Sequence, residues 1–94
     1  MEVIIKSSFL KALKFAPKNI QDIVKEIITV KLPTAKSLEA SGLDYKKMEG
    51  QKKSENYYRI RVGDWRIGVE YKNPKFLIIT ILGRGAIYKK FPPK

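Results

Sequence analysis

The chain contains no cysteine and no histidine. The first absence excludes disulfides and suits a reducing cytosol. Together the two exclude Cys/His zinc sites and histidine acid–base catalysis. Acid is also scarce: nine Asp and Glu stand against twenty Lys and Arg, a net charge of +11. That imbalance points to a polyanionic partner, with nucleic acid foremost. Long hydrophobic runs are missing too. The longest, 76–82, has Thr80 inside it and is far too short to span a bilayer. The N-terminus has no apolar region long enough for a signal peptide. A cytoplasmic protein with no membrane role, no metal and no cofactor is the expectation.

What is present is enough for a core. Of 94 residues, 44% are hydrophobic, too many for a disordered chain, and the length fits one domain over 1–94. The charge is uneven. Residues 1–45 carry a net +2 and residues 46–94 a net +9, and all four arginines (Arg59, Arg61, Arg66, Arg84) lie in the second half. Scattered lysine mostly keeps a surface solvated, whereas arginine is built for bidentate phosphate contacts.

Val3, Ile4 and Ile5 suffice for a short first strand. Ser7 or Ser8 can cap a helix with Phe9, Leu10, Leu13 and Ala16 on one side, and Pro17 interrupts it. A second helix over 18–30 carries Ile20, Ile23, Val24, Ile27 and Ile28 at helical spacing, a core stripe. Leu32-Pro33 ends it. Residues 34–48 read as a connector with a helical turn at 35–40, stopped at Ser41-Gly42, and with Leu43, Tyr45 and Met48 pinning it to the core. Residues 50–56 read as a polar loop.

Residues 57–71 read as a hairpin, with alternating apolar and polar residues on both sides of a Gly63-Asp64 turn. A two-residue loop sets Val62 opposite Trp65, Arg61 opposite Arg66 and Gly68 opposite Arg59. Tyr58, Ile60, Val62, Trp65, Ile67, Val69 and Tyr71 then share one face. Tyr57, Arg59, Arg61, Arg66, Gly68 and Glu70 share the other. Two arginines facing each other on a sheet repel. A chain that places three on one face has an anion to hold. A turn at 72–75 leads to a strand over 76–82, apolar on both sides, and Gly83-Arg84-Gly85 then breaks regular structure.

The expected fold class is α+β: a small domain of order β-α-α-β-β-β, its antiparallel sheet covered on one face by two N-terminal helices. The arginine face is expected to stay open, with room for a ligand above Gly68. Arg84 and Tyr88 follow the last strand and can curl toward that face.

The segment Tyr58-Arg59-Ile60-Arg61-Val62-Gly63-Asp64-Trp65-Arg66-Ile67 resembles the central hairpin of the RelE/ParE superfamily of type II toxins, in its RelE-like ribonuclease branch. Gly83-Arg84-Gly85-Ala86-Ile87-Tyr88 resembles that family's terminal arginine–tyrosine segment. Small residues replace bulkier polar ones there, and Gly83 stands where histidine is frequent. The likeness covers nearly the whole chain.

The resemblance implies a toxin that enters the ribosomal A site, cuts mRNA through the RNA's own 2′-hydroxyl without a metal, and is neutralised by a cognate antitoxin protein. It implies a catalytic set of Arg59, Arg61, Arg66, Arg84 and Tyr88. Lys52, Lys53, Tyr57 and Lys89 are further candidates for contacts to mRNA and ribosomal RNA. Fixed guanidiniums suit charge stabilisation at phosphorus. Tyr88 or Glu70 is the candidate base. Two alternatives use the same fold: a ParE-like inhibitor of DNA gyrase, and an RNA- or ribosome-binding module without catalysis.

Overall fold

A computed structural model describes residues 1–92. Five strands form one sheet in the order β1-β5-β4-β3-β2. They are β1 (Glu2–Ile5), β2 (Tyr45–Lys47), β3 (Tyr57–Val62), β4 (Trp65–Lys72) and β5 (Lys75–Gly83). The three long strands are an antiparallel meander, and β1 joins beside β5 in parallel. Helices α1 (Ser7–Leu13) and α2 (Lys18–Glu26) lie over one face. Phe9, Ile20, Val24 and Ile27 from the helices meet Ile60, Ile67, Val69, Phe76, Ile78 and Ile81 from the sheet. This is the expected α+β layering.

The helical stripe runs longer than one regular helix. After α2 the backbone widens into a π turn over Ile27–Lys31 and closes with a short α3, Leu32–Thr34. Pro33 has no N–H, and its ring would press on the carbonyl four residues back, so a wider turn before it relieves the crowding. The Thr34 hydroxyl donates to the Val30 carbonyl at 2.7 Å. Neither Ser7 nor Ser8 caps α1: Lys6 holds the N-cap position, with no side-chain cap. Ser8 instead donates its hydroxyl to the Ile79 carbonyl on β5. Ile79 is the extra residue of a β-bulge, because Gly68 pairs with Thr80 while Val69 pairs with Ile78. A bulge leaves a group outside the ladder, and Ser8 satisfies it. The bulge also keeps both Ile78 and Ile81 in the main core, while Ile79 turns to the opposite face.

Two elements depart from the expected order. Part of the supposed connector is strand β2, antiparallel to β3, with Tyr45 opposite Ile60 and Lys46 opposite Arg59. Tyr45 packs on the main core, and Met48 just beyond β2 is buried on the other side. The C-terminal segment forms a helix, α4 (Ile87–Lys90). That helix corrects the expectation of an open arginine face. Ile87, Phe91 and Met48 are buried there, with Tyr57, Ile79 and Leu82 packed around them. A Cβ on Gly68 would lie 2.9 Å from three carbons of the Phe91 ring. The space above Gly68 therefore belongs to Phe91, not to a ligand.

Candidate active site

The hairpin has the register its alternation requires: Val62 opposite Trp65, Arg61 opposite Arg66, Arg59 opposite Gly68. Gly63 takes φ +59° at the first central position of the turn, where a side chain would be strained. The like charges of Arg61 and Arg66 are kept apart by pointing them differently. Arg66 folds down toward the turn, and its Nη1 donates to the carbonyls of Gly63 at 2.8 Å and Trp65 at 3.0 Å. It is only 6% exposed, and its Nε is buried with no hydrogen-bond partner among the described residues. Arg61 stays in solvent, its Nη1 3.9 Å from Asp44 Oδ2. An exposed pair at that distance orients Arg61 more than it stabilises the fold.

Arg84 reaches the hairpin because its backbone N–H donates to the Asp64 carbonyl at 2.9 Å. The last strand thus delivers an arginine to the turn that holds Arg66. One turn of chain later α4 places Tyr88 over the sheet. The Arg59 guanidinium carbon lies 5.5 Å from the centre of the Tyr88 ring, a cation–π distance.

These pieces line one cleft of about 530 Å³, whose walls include Arg59, Arg61, Arg66, Arg84 and Tyr88. Every residue expected to be catalytic is therefore gathered in one place. Asp44, Tyr45, Lys46 and Gly85 complete the lining. Four arginines lining one cleft, one of them buried, make it strongly cationic and suited to a small anion. Among the described residues, no group of three or more Asp, Glu, His or Cys is arranged to hold a metal ion. No helix among them is long and apolar enough to cross a membrane.

No family model matches the chain. A curated relative does: the chain is 39% identical over 92 residues to toxin RelE3 of Methanocaldococcus jannaschii, covering 98% of this chain and 100% of that protein. The chain belongs to the RelE toxin family. Among solved structures, the RelB–RelE antitoxin–toxin complex of Methanococcus jannaschii matches with TM-score 0.75 and 37% identity, covering 95% of this chain and 99% of that one. An archaeal RelE–RelB complex from Pyrococcus horikoshii matches with TM-score 0.55 and 26% identity over 89% of this chain and 94% of that one. The RelBE2 toxin–antitoxin complex of Mycobacterium tuberculosis, at 17% identity and TM-score 0.64, shares the fold over 88% of this chain and 96% of its own.

Within this RelE-family fold the remaining candidates separate. Lys89 lines a second cavity next to the arginine cleft. Lys52 and Lys53 sit on an exposed loop and reach neither cavity. Tyr57 is not an open stacking surface. Its ring meets Phe91 edge-on at 5.5 Å, and burial, then the Glu70 carboxylate, pushes its phenol above the usual range. Glu70 lies away from the arginines, in a separate cavity with Ile4, Ser54 and Leu77. Tyr88 is thus the one proton-acceptor candidate of the pair that stands in the cleft. Sequence reasoning missed Asp44 and Lys46. The signal was there: Leu43 and Tyr45 alternate with Asp44, Lys46 and Met48, a strand pattern too short to read without its partner.

Proposed function

We propose that this toxin is an endoribonuclease that cuts mRNA on the translating ribosome and is held inactive by an antitoxin. The observation that carries the proposal is the cleft in which Arg59, Arg61, Arg66, Arg84 and Tyr88 converge, with Arg66 buried and its Nε unpartnered. In the reaction the 2′-oxygen bonds to phosphorus, the bond to the 5′-oxygen breaks, and a cyclic phosphate and a 5′-hydroxyl result. The 2′-proton leaves to a base, a part Tyr88 can take only as its phenolate, and water gives the 5′-oxygen its proton. Arg61 and Arg84 stabilise the charge that builds on the phosphoryl oxygens. Arg66 anchors the floor of the cleft through the Gly63 and Trp65 carbonyls and adds fixed positive charge beneath the same group. Arg59 holds Tyr88 in place. The ribosome presents the RNA in reactive geometry, which relieves a histidine-free site of much of that work. The antitoxin partner is supported by the similar RelB–RelE complexes, and the net charge of +11 suits an acidic binding segment.

The test is cleavage of a defined mRNA on purified translating ribosomes. The wild type should produce fragments with 5′-hydroxyl ends. Arg61→Ala and Arg84→Ala should each lose about 100-fold or more in rate, as removal of a charge-stabilising donor does. Full activity in both variants would overturn the assignment. RNA binding that falls steeply with salt, without cleavage, would instead mark a non-catalytic module.

A further inference from the structure

The Arg59–Tyr88 pair has a cavity on each side. One is the arginine cleft. The other, about 510 Å³, is lined by Lys46, Lys47, Glu49, Lys89, Tyr88 and Phe91, with Met48 beside them. Both volumes fall in the range of small-ligand sites, roughly 300–1,000 Å³. Lys46, Arg59 and Tyr88 belong to both linings, so the two spaces share a wall. The second cavity differs in kind. Buried Met48 and Phe91 give it an apolar floor, and the exposed Tyr88 ring gives it a flat aromatic side. Its other charged groups are all cations, Lys46, Lys47, Arg59 and Lys89, yet it also holds a carboxylate, Glu49. Among the described residues no lysine or arginine lies within ion-pair distance of Glu49.

A carboxylate repels phosphate, so Glu49 itself is no partner for a second phosphate, which would go to the lysines. An aromatic wall and an apolar floor suit a nucleobase, which stacks by its face and is read at its edge. A carboxylate only accepts hydrogen bonds. It therefore distinguishes bases by the N–H groups on their Watson–Crick edges. Guanine offers two adjacent donors, N1–H and the exocyclic amine. Adenine and cytosine offer one amine beside an acceptor. Uracil offers a single N–H between two carbonyl oxygens that a carboxylate repels.

We propose that the cavity beyond the Arg59–Tyr88 wall is a nucleobase subsite, in which Glu49 selects the base next to the bound phosphate, guanine best and uracil worst. The proposal deepens the ribonuclease reading and rests on it. Lys46, on the shared wall, lies between base and phosphate and fixes the register of the strand.

Binding and cutting test the two readings separately. The probes are uncleavable 2′-O-methyl hexamers, one of uridine alone and one alternating uridine and guanosine, titrated by fluorescence anisotropy. The wild type should bind the alternating hexamer about ten-fold more tightly, the discrimination of one good bidentate contact. Glu49→Gln and Glu49→Ala should bring that ratio close to one. Glu49 is exposed, so both variants should fold. The ratio is insensitive to the backbone's salt-dependent contribution, which both hexamers share. A wild type without preference, or variants that keep it, would overturn the subsite. Mapping of cut ends on ribosomes then reports on the nuclease itself. If the wild type binds with the expected preference but never cuts, the ribonuclease reading fails while the base preference stands. If it cuts with the same base bias in Glu49→Gln, the subsite fails while the ribonuclease reading stands.

Discussion

The two faces of this sheet are made from the same strands, yet they are stabilised in different ways. The inner face is covered by α1 and α2 and buries a continuous apolar layer. The outer face buries Met48, Ile87 and Phe91, together with one arginine. Alternation along β3 and β4 supplies both faces at once: each inward Ile or Val is followed by an outward Arg, Gly or Glu. The difference teaches where stability and charge are kept. Like charges can crowd the outer face because the inner face holds the fold, and because a small C-terminal cap gives the outer face an apolar anchor.

Matched truncations on the two faces probe this division, and they carry the largest expected effects on stability. Phe76→Ala empties a fully buried site in the main core and should cost about 3–5 kcal/mol. Phe91→Ala empties the smaller cap and should fall at about 3 kcal/mol, because a small cluster collapses onto the space more easily. The sharper contrast is in function. At equal folded fraction, set by urea titration, Phe76→Ala should cleave as the wild type does. Phe91→Ala should lose most of its cleavage, because α4 would no longer hold Tyr88 over Arg59. Equal specific activity in the two variants would break the division between the faces.

A gentler probe adds atoms instead of removing them. Gly68→Ala puts a methyl group 2.9 Å from the Phe91 ring, and the cap must move to admit it. Overpacking of this kind costs roughly 1–3 kcal/mol. The helix-covered face should be untouched, so hydrogen exchange in α1 and α2 should match the wild type while exchange in α4 accelerates. Uniform acceleration through all elements would show that the two faces are one cooperative unit.

The same contrast decides what could be read from the sequence. The hairpin register was legible, since period-two alternation on both sides of a two-residue turn admits a single pairing. The α2 stripe was legible because apolar residues repeat at helical spacing, but only four of the five are core: Ile23, at the edge of the stripe, is 46% exposed. The convergence of Arg84 with Arg66 was only half legible. Gly83 marked a bend, but the direction of the bend is set by the Arg84 N–H reaching Asp64, a contact across 20 positions that no local pattern encodes. Strand β2 is three residues long and pairs along one edge, too little for periodicity to declare. The cap was misread for a physical reason. A glycine on a charged face looks like room for a ligand until the residue that fills the room is known, and Phe91 stands far along the chain in a segment whose helix is four residues long.

Asp44 offers a smaller effect on the outer face alone. Its carboxylate, 3.9 Å from Arg61, competes with any anion entering the cleft. Asp44→Asn should leave stability within about 0.5 kcal/mol, as expected for an exposed ion pair. It should tighten RNA binding about two- to three-fold and change the rate of cleavage little. A fall in rate of about 100-fold would instead show that Asp44 carries the proton in place of Tyr88.

The smallest effect compares neighbours on opposite faces. Tyr57 and Tyr58 are adjacent in β3, and both phenols are pushed above the usual range, chiefly by burial. Glu70 adds to the shift at Tyr57 and Glu39 at Tyr58. The sign follows from proton uptake. Above about pH 10 the unfolded chain ionises these phenols first. The folded chain then holds more protons, and stability falls with rising pH until the folded phenols ionise as well. Below that window neither group makes stability depend on pH. Tyr57→Phe and Tyr58→Phe should each flatten the alkaline decline, measured as urea midpoints between about pH 9 and 11. A flattening by Tyr58→Phe alone would mean that the cap leaves Tyr57 solvated, and that only the helix-covered face excludes water well enough to shift a phenol.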